Sequence, residues 1–146
     1  MANHPEAIAR FAALPEVAEA HLPVNRGAYL LVVRLNRYLE LDIPSLATAK
    51  LSPGWYVYAG SARGPGGIRA RVGRHLRAVK SIHWHIDHLS LAASQSLAYA
   101  VPGGRECVLL QAMLSAPGFS VPILGFGSSD CRKCPSHLLK VSLSRF

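Results

Sequence analysis

The stretch GWYVYAGSARGPGGIRARVGRH (residues 54–75) passes from an apolar segment through a glycine-rich turn into a basic segment. The aromatic and β-branched residues WYVYAG (55–60) follow a Pro-Gly turn and predict a strand. Behind the glycines, apolar residues recur at helical spacing and predict a helix over residues 67–80. These apolar positions are Ile68, Val72, Leu76 and Val79. The stretch therefore predicts a strand, a tight turn and an amphipathic helix in immediate succession.

The segments on either side add further strands and helices. AYLLVVRL (28–35) predicts a first strand, and YLELDIP (38–44) is expected to pair with it in a hairpin. The predicted strands and helices do not alternate regularly as they do in a series of βαβ units, so we expect a small α+β domain. Helices are predicted over residues 5–21, 82–93 and 104–116, and further strands over residues 96–102 and 137–143.

The composition indicates a single domain with its own apolar core. The chain has 146 residues, half of them apolar, a size that supports a core without disulfide bonds. No segment approaches the roughly 18–20 consecutive apolar residues of a membrane span. The three cysteines, an odd number, argue against the disulfide framework of a secreted protein. The first residues contain acidic residues and a proline and do not resemble a signal peptide. We therefore expect a cytoplasmic protein without a membrane partner.

The positive charge is concentrated in one part of the chain. Residues 1–42 carry a net charge of −1, whereas residues 43–146 carry +9. From Ile43 to Ile86 there are seven basic residues and no acidic one. Because a solvated surface usually mixes both signs, this block favours a polyanionic partner such as a nucleic acid. A basic surface without such a partner is the alternative.

The predicted helix over residues 67–80 presents basic residues in two settings. Arg71 and His75 fall along the edge of its apolar stripe, where a guanidinium can grip a phosphate through paired N–H donors. Alternatively, Arg71 lies over the core and His75 caps it. The glycine-rich turn is expected to bring backbone N–H groups close to the phosphate. Three further arginines are expected to point to solvent: Arg69, Arg74 and Arg77.

Glu106 is an acidic residue on the apolar face of a predicted helix. It precedes Leu109 and Leu110 by three and four residues. A carboxylate that points inward is costly unless it is paired or binds a metal. The alternative is a helix-terminal acid stabilised by the helix dipole.

Taken together, these stretches resemble the GIY-YIG nuclease superfamily. GAY (27–29) and YAG (58–60) lie on two predicted strands, and RVGRH (71–75) lies on the basic helix. The chain is similar in particular to a small subfamily long catalogued as a domain of unknown function, which also occurs fused to endonuclease III-like glycosylases. This similarity extends over roughly residues 27–139, in the stretches GWYVYAGSARGPGG, RVGRHLR, HWHIDHL and GFGSSDCRKCPSHL.

The resemblance implies a fold and a set of functional residues. The fold is a three-stranded antiparallel sheet flanked by helices, with an extra C-terminal strand, in a nuclease domain (27–146) preceded by a helical extension (1–26). The implied catalytic residues are Tyr29, Tyr58, Arg71 and His75, with Glu106 as the ligand of Mg²⁺ or Mn²⁺. Nucleic-acid contacts are expected from Gly60, Ser61, Arg63, Arg69, Arg74, Arg77 and Lys80.

The implied reaction is metal-dependent cleavage of a phosphodiester. The divalent ion on Glu106 and the guanidinium of Arg71 would neutralise charge on the phosphate oxygens. Tyr29 would deprotonate the attacking water, with a nearby cation helping it to ionise, since an ordinary phenol has a pKa of about 10. Tyr58 would position the water or the phosphate.

The chain also departs from the superfamily. Its last asparagine is Asn36, whereas many members have an asparagine beyond the metal-binding glutamate. One of His83 and His85 is expected to reach the site together with Asp87, while Trp84 is expected in the core rather than stacked on a base. Candidates to replace the missing asparagine are Ser128, Ser129, Asp130 and His137.

The cysteines allow a zinc site but do not favour one. Cys131, Cys134 and His137 have the spacing of zinc ligands, with Cys107 or a histidine as the fourth. A structural zinc site usually has a second clear pair, and the sequence has none. Buried or functional thiols near the active site are therefore expected instead.

These observations favour an enzyme over two rivals. The favoured function is a divalent-metal-dependent nuclease that acts on DNA, or on RNA, in repair or processing. The rivals are a catalytically inactive nucleic-acid-binding module and a zinc-stabilised interaction domain. An inward-facing carboxylate favours the enzyme, because in a pure binding module it would repel the phosphate.

Overall fold

The computed structural model describes residue 8 and residues 22–46, 48–77, 81–127 and 133–142. Apart from Ile8, the predicted helix over residues 5–21 lies outside the described residues. In chain order the elements are β1 (Gly27–Leu35), β2 (Leu39–Asp42), a 3-10 turn (Pro44–Leu46), β3 (Thr48–Leu51), β4 (Gly54–Ala62), α1 (Gly67–His75), α2 (His85–Ala92), β5 (Gln95–Pro102), α3 (Glu106–Leu114), β6 (Phe119–Ser120) and β7 (Leu138–Val141).

The predicted α+β class is confirmed, and the main sheet is larger than expected. It has five strands in the order β5-β1-β4-β7-β6, and every neighbouring pair is antiparallel. The adjacent strands β5, β1 and β4, with β5 at the edge of the sheet, correspond to the predicted three-stranded sheet, and β7 is the predicted C-terminal strand. β6 was not expected, because a strand of two residues is too short to show an alternating pattern.

The expected hairpin between YLELDIP and the first strand is wrong. β1 already pairs with β4 along one edge and with β5 along the other. β2 therefore pairs with β3 in a separate two-stranded sheet, with Leu39 opposite Leu51.

The main sheet is covered on both faces. Side chains alternate along a strand, so Tyr29 and Leu31 lie in one apolar cluster with Ile68 and Val72 of α1. The opposite face of β1 packs in a second cluster, which includes Leu110 of α3. Burial on both faces explains why the first strand is a continuous apolar run rather than an alternating one. None of the described helices has the length and hydropathy needed to cross a membrane.

Two helices differ from their predicted bounds, and residues 78–80 of the first predicted helix lie outside the described residues. α1 ends at His75, with Leu76 as its C-cap. α2 begins at His85 rather than at residue 82, because Asp87 accepts hydrogen bonds from the backbone N–H groups of His83 and Trp84, at 2.8 and 3.0 Å. A carboxylate that binds these orphan donors marks a helix start.

Candidate functional site

A cleft of about 230 Å³ lies where β1, β4, α1 and the start of α3 meet. It contains all four predicted catalytic residues and the predicted metal ligand, which are far apart in the sequence. The fold therefore brings together what the resemblance implied. The lining residues are Tyr29, Tyr58, Ser61, Arg71, His75, Trp84, Glu106, Gly127 and His137.

Strand register places the ring of Tyr29 beside Gly60. The two residues are directly opposite each other in the β1–β4 pair. A Cβ at position 60 would overlap the Tyr29 ring and its hydroxyl. Gly60 thus provides the space that the phenol occupies, which is a role different from the expected contact with nucleic acid.

The Tyr29 hydroxyl lies 2.6 Å from His75 Nε2, and both side chains are buried. Burial raises the pKa of Tyr29 well above 10.0, with a further rise from Tyr58 and an opposing effect of Arg71. The phenol is therefore protonated at neutral pH. His75 Nδ1 faces Asp87 Oδ1 at 3.7 Å, which favours the proton on Nδ1. The Tyr29 hydroxyl then donates its hydrogen bond to Nε2.

Asp87 is fully buried and is held by Arg74. Arg74 Nη1 donates to Oδ1 at 2.9 Å and Nη2 donates to Oδ2 at 3.0 Å. Burial raises the pKa of Asp87, but the hydrogen bonds and charge of Arg74, with the two backbone N–H groups, outweigh it and lower the pKa to about 2. The expectation that Arg74 points to solvent is wrong, since its side chain is 18% exposed and its guanidinium binds Asp87.

Arg71 lies at the wall of the cleft against Trp84. Its guanidinium carbon is 4.4 Å from the centre of the Trp84 ring, and its Nη1 donates to the Ser61 carbonyl at 3.0 Å. The guanidinium of Arg74 is 4.3 Å from the same ring. Trp84 is 39% exposed, so the expectation of a core tryptophan is wrong. Cation–π contact with two arginines holds it instead.

Glu106 is the first residue of α3, and one of its carboxylate oxygens is buried. Among the described residues, no hydrogen-bond partner reaches Oε2. Its charge also affects the cleft. Burial is the largest cause that raises the pKa of Tyr58 to about 12, Arg71 opposes it, and Glu106 and Asp87 raise it further.

Three backbone N–H groups, at the end of the glycine-rich turn and the start of α1, already have acceptors within the protein. The N–H of Ile68 donates to Asn25 O at 2.9 Å, and that of Arg69 donates to Pro23 O at 2.9 Å. The N–H of Gly67 donates to Gly64 O at 3.1 Å. These three N–H groups are therefore not available to the phosphate cradle predicted at this turn, because the chain before β1 accepts two of them and Gly64 accepts the third.

The remaining predicted contacts fall into three groups. Arg63, Arg69 and Arg77 are exposed, and Arg69 also donates from Nε to Leu22 O at 2.7 Å. His85 Nδ1 accepts from the N–H of Gly127 at 2.8 Å, and burial followed by His88 lowers its pKa. Some candidates lie outside the described residues: Lys80, Ser128, Ser129, Asp130 and Cys131.

A second cluster adjoins the cleft and could hold a metal ion. The donor atoms of Cys107, Cys134 and His137 all lie within 4.8 Å of one another. Cys134 and His137 are buried and Cys107 is half-buried. Buried or functional thiols near the active site were expected instead of a zinc site, and the structure adds the convergence of two thiols on His137.

Sequence reasoning missed the role of Asp87 as the partner of Arg74 and His75. A signal was present, because Asp87 is the sole acidic residue between residues 43 and 105 of a strongly basic stretch. A lone acid in such a stretch usually has a specific cationic partner.

Comparison with known proteins identifies the family. No curated protein and no solved structure matches the chain. The sequence model of the family described as Domain of unknown function DUF123 matches residues 28–145. Since this match covers 118 of the 146 residues, the protein belongs to the DUF123 family.

Proposed function

We propose that the protein is a divalent-metal-dependent nuclease of GIY-YIG type, which hydrolyses phosphodiester bonds of DNA in cytoplasmic repair or processing. One observation carries the proposal. A buried Tyr29–His75 hydrogen bond of 2.6 Å lies in a cleft that also contains Arg71 and Glu106. This set supplies a proton acceptor, a phosphate-binding cation and a carboxylate at one place.

Tyr29 and His75 would act together as the general base. Because the raised pKa keeps the phenol of Tyr29 protonated, a phenolate is not populated at neutral pH. Instead, the attacking water gives a proton to the Tyr29 oxygen while the Tyr29 proton moves to His75 Nε2. Asp87 at 3.7 Å from Nδ1 stabilises the resulting imidazolium. This differs from the expectation that a cation lowers the pKa of Tyr29 itself.

Arg71 would bind the phosphate group. Its guanidinium is always charged and donates in a planar fork that matches phosphate oxygens. It lines the cleft beside Tyr58, and its contact with Trp84 fixes its plane. A cation held in place at this point stabilises the charge that develops on the phosphate in the transition state.

Glu106 fits the role of ligand to Mg²⁺ or Mn²⁺. These ions prefer oxygen ligands and are often held by one or two carboxylates together with substrate phosphates. The buried Oε2, which has no hydrogen-bond partner among the described residues, is such an oxygen. When bound, the ion neutralises phosphate charge and stabilises the leaving oxygen.

Exposed arginines would hold the DNA outside the cleft. Arg63, Arg69 and Arg77 are exposed on or near α1, in the part of the chain that carries a net charge of +9. Contacts of this kind give affinity without base preference, so we expect binding to weaken steeply with salt.

The test is cleavage of labelled single-stranded, double-stranded and branched DNA with and without Mg²⁺ or Mn²⁺. We expect metal-dependent cutting that falls by at least about 100-fold in Glu106→Gln, because one oxygen ligand is lost. Glu40→Gln is the matched control, since Glu40 is exposed on β2 and outside the cleft. Full cleavage by folded Glu106→Gln would contradict the proposal.

Binding without cleavage is the second candidate function. The protonated state of both cleft phenols favours it, because neither is a ready base at neutral pH. This candidate requires salt-sensitive binding of DNA with no cutting of any of the three substrates in either metal.

A further inference from the structure

Beyond the proposed nuclease, we infer that Cys107, Cys134 and His137 form a zinc site beside the cleft. Cys107 Sγ lies 3.7 Å from His137 Nε2, and all three donor atoms lie within 4.8 Å of one another. On a tetrahedral zinc ion, with Zn–S of about 2.3 Å and Zn–N of about 2.0 Å, a sulfur and a nitrogen ligand are about 3.5 Å apart. The observed sulfur–nitrogen pair already has the separation of two ligands on one ion.

The donor set selects zinc rather than the ion assigned to Glu106. Two thiolates and an imidazole are soft or borderline ligands, which suit zinc, whereas Mg²⁺ and Mn²⁺ prefer carboxylate, carbonyl and water oxygens. Cys107 follows Glu106 directly in the chain. Adjacent residues at the start of α3 thus belong to two sites of different metal preference.

The ligand residues near β7 are held in place by the protein backbone. The N–H of His137 donates to Phe126 O at 2.8 Å, and its carbonyl accepts from the N–H of Ala59 at 3.0 Å. Cys134 and His137 are 6% and 7% exposed, so little water competes for their donor atoms. A site that is arranged before the ion arrives loses less free energy to ordering on binding.

The zinc ion would tie the first turn of α3 to the segment that leads into β7. Glu106 is the residue before the Cys107 ligand, and His137 itself lines the cleft. Fixing the backbone at Cys107 would therefore restrict the positions from which the Glu106 side chain reaches the cleft. With three protein ligands, the fourth position of the zinc ion would be taken by water, and the ligands would act as positioning residues for the cleft.

The test uses the whole protein, freed of metal with a chelator and titrated with Zn²⁺ or Co²⁺. We expect one ion per chain. Bound cobalt should show the intense visible bands of a tetrahedral site and a near-ultraviolet sulfur-to-cobalt charge-transfer band. Zinc should raise the Tm and protect Cys107 and Cys134 from a thiol reagent, and Mg²⁺ should do neither.

Variants identify the ligands. Cys107→Ser and His137→Asn should each weaken zinc affinity by more than about 100-fold, since loss of a direct ligand costs more than loss of an outer contact. His83→Asn is the matched control, because His83 is exposed and outside the cluster. Folded wild-type protein that binds no stoichiometric zinc, or a cobalt spectrum without the thiolate band, would overturn the inference. No readout involves DNA, so the result stands apart from the outcome of the cleavage test.

Discussion

Arg74 and Asp87 join α1 to α2 through two parallel hydrogen bonds, of 2.9 and 3.0 Å. The carboxylate is fully buried, and its Oδ1 also lies 3.7 Å from His75 Nδ1. One ion pair therefore fixes the angle between two helices and supports the imidazole of the cleft.

Removal of Arg74 should cost more stability than removal of a neighbouring arginine. Arg74→Leu leaves the Asp87 charge buried without its partner, so we expect the free energy of unfolding to fall by about 3 kcal/mol. Arg77→Leu, at an exposed position, should change it by less than about 0.5 kcal/mol. Urea unfolding at pH 7 measures both. Equal effects of the two substitutions would mean that the pair contributes nothing in solution.

Acid should weaken the fold through Asp87. Its pKa is about 2 in the folded chain against an ordinary 3.8, so its contribution is present above 3.8 and is lost as the pH falls towards 2. We expect a loss of about 2 kcal/mol from this group, measured by urea unfolding across that range. Asp87→Asn should show a flatter dependence on pH. Parallel curves for the two proteins would show that Asp87 titrates at its ordinary pKa.

Alkaline titration should show that the cleft phenols are protonated at neutral pH. Burial raises the pKa of Tyr29 well above 10.0 and that of Tyr58 to about 12. The stability linked to these groups is therefore present below pH 10 and is lost as the pH rises above it. Tyrosinate absorbance of the wild type minus that of Tyr29→Phe should stay at zero until alkaline unfolding. A tyrosinate difference near pH 7 would instead identify Tyr29 as a preformed base.

Two glycines of the turn region should respond oppositely to alanine. Gly60→Ala places a methyl group into the Tyr29 ring, which must shift away from His75, so we expect a loss of about 2 kcal/mol. The methyl group of Gly64→Ala meets no atom of the described residues within 4 Å, so this change should leave the stability unchanged or raise it by less than about 1 kcal/mol. Thermal unfolding compares them. Similar Tm values for the two variants would contradict the close packing of Tyr29 on Gly60.

The strands and helices were predictable wherever their signal is local. The helix predicted over residues 104–116 is α3 (Glu106–Leu114), and β1 and β4 begin and end close to their predicted bounds. Pairing is not local. Whether β2 pairs with β1 or with β3 depends on whether β1 has a free edge. That depends on where β4 and β5 pair, which the sequence of residues 38–44 does not determine.

The candidate site was predictable from motifs, whereas the contacts of long side chains were not. Helical spacing gives the direction of the Cα–Cβ bond, and it placed Arg71 and His75 at the edge of the apolar stripe, where both line the cleft. The guanidinium of Arg74 lies several bonds beyond Cβ, and the side chain bends towards Asp87 because that carboxylate is buried and carries the opposite charge. Trp84 was misjudged for the same reason, because its partners are two guanidinium groups from another helix.

The anchoring of α1 defines where the domain can be shortened. The N–H groups of Ile68 and Arg69 donate to the carbonyl oxygens of Asn25 and Pro23, which precede the family's matched region of 28–145. A protein that starts at residue 28 would keep every side chain that lines the cleft, yet the first turn of its basic helix would face water and fray. The smallest piece that keeps the cleft in shape is therefore longer than the segment the family shares.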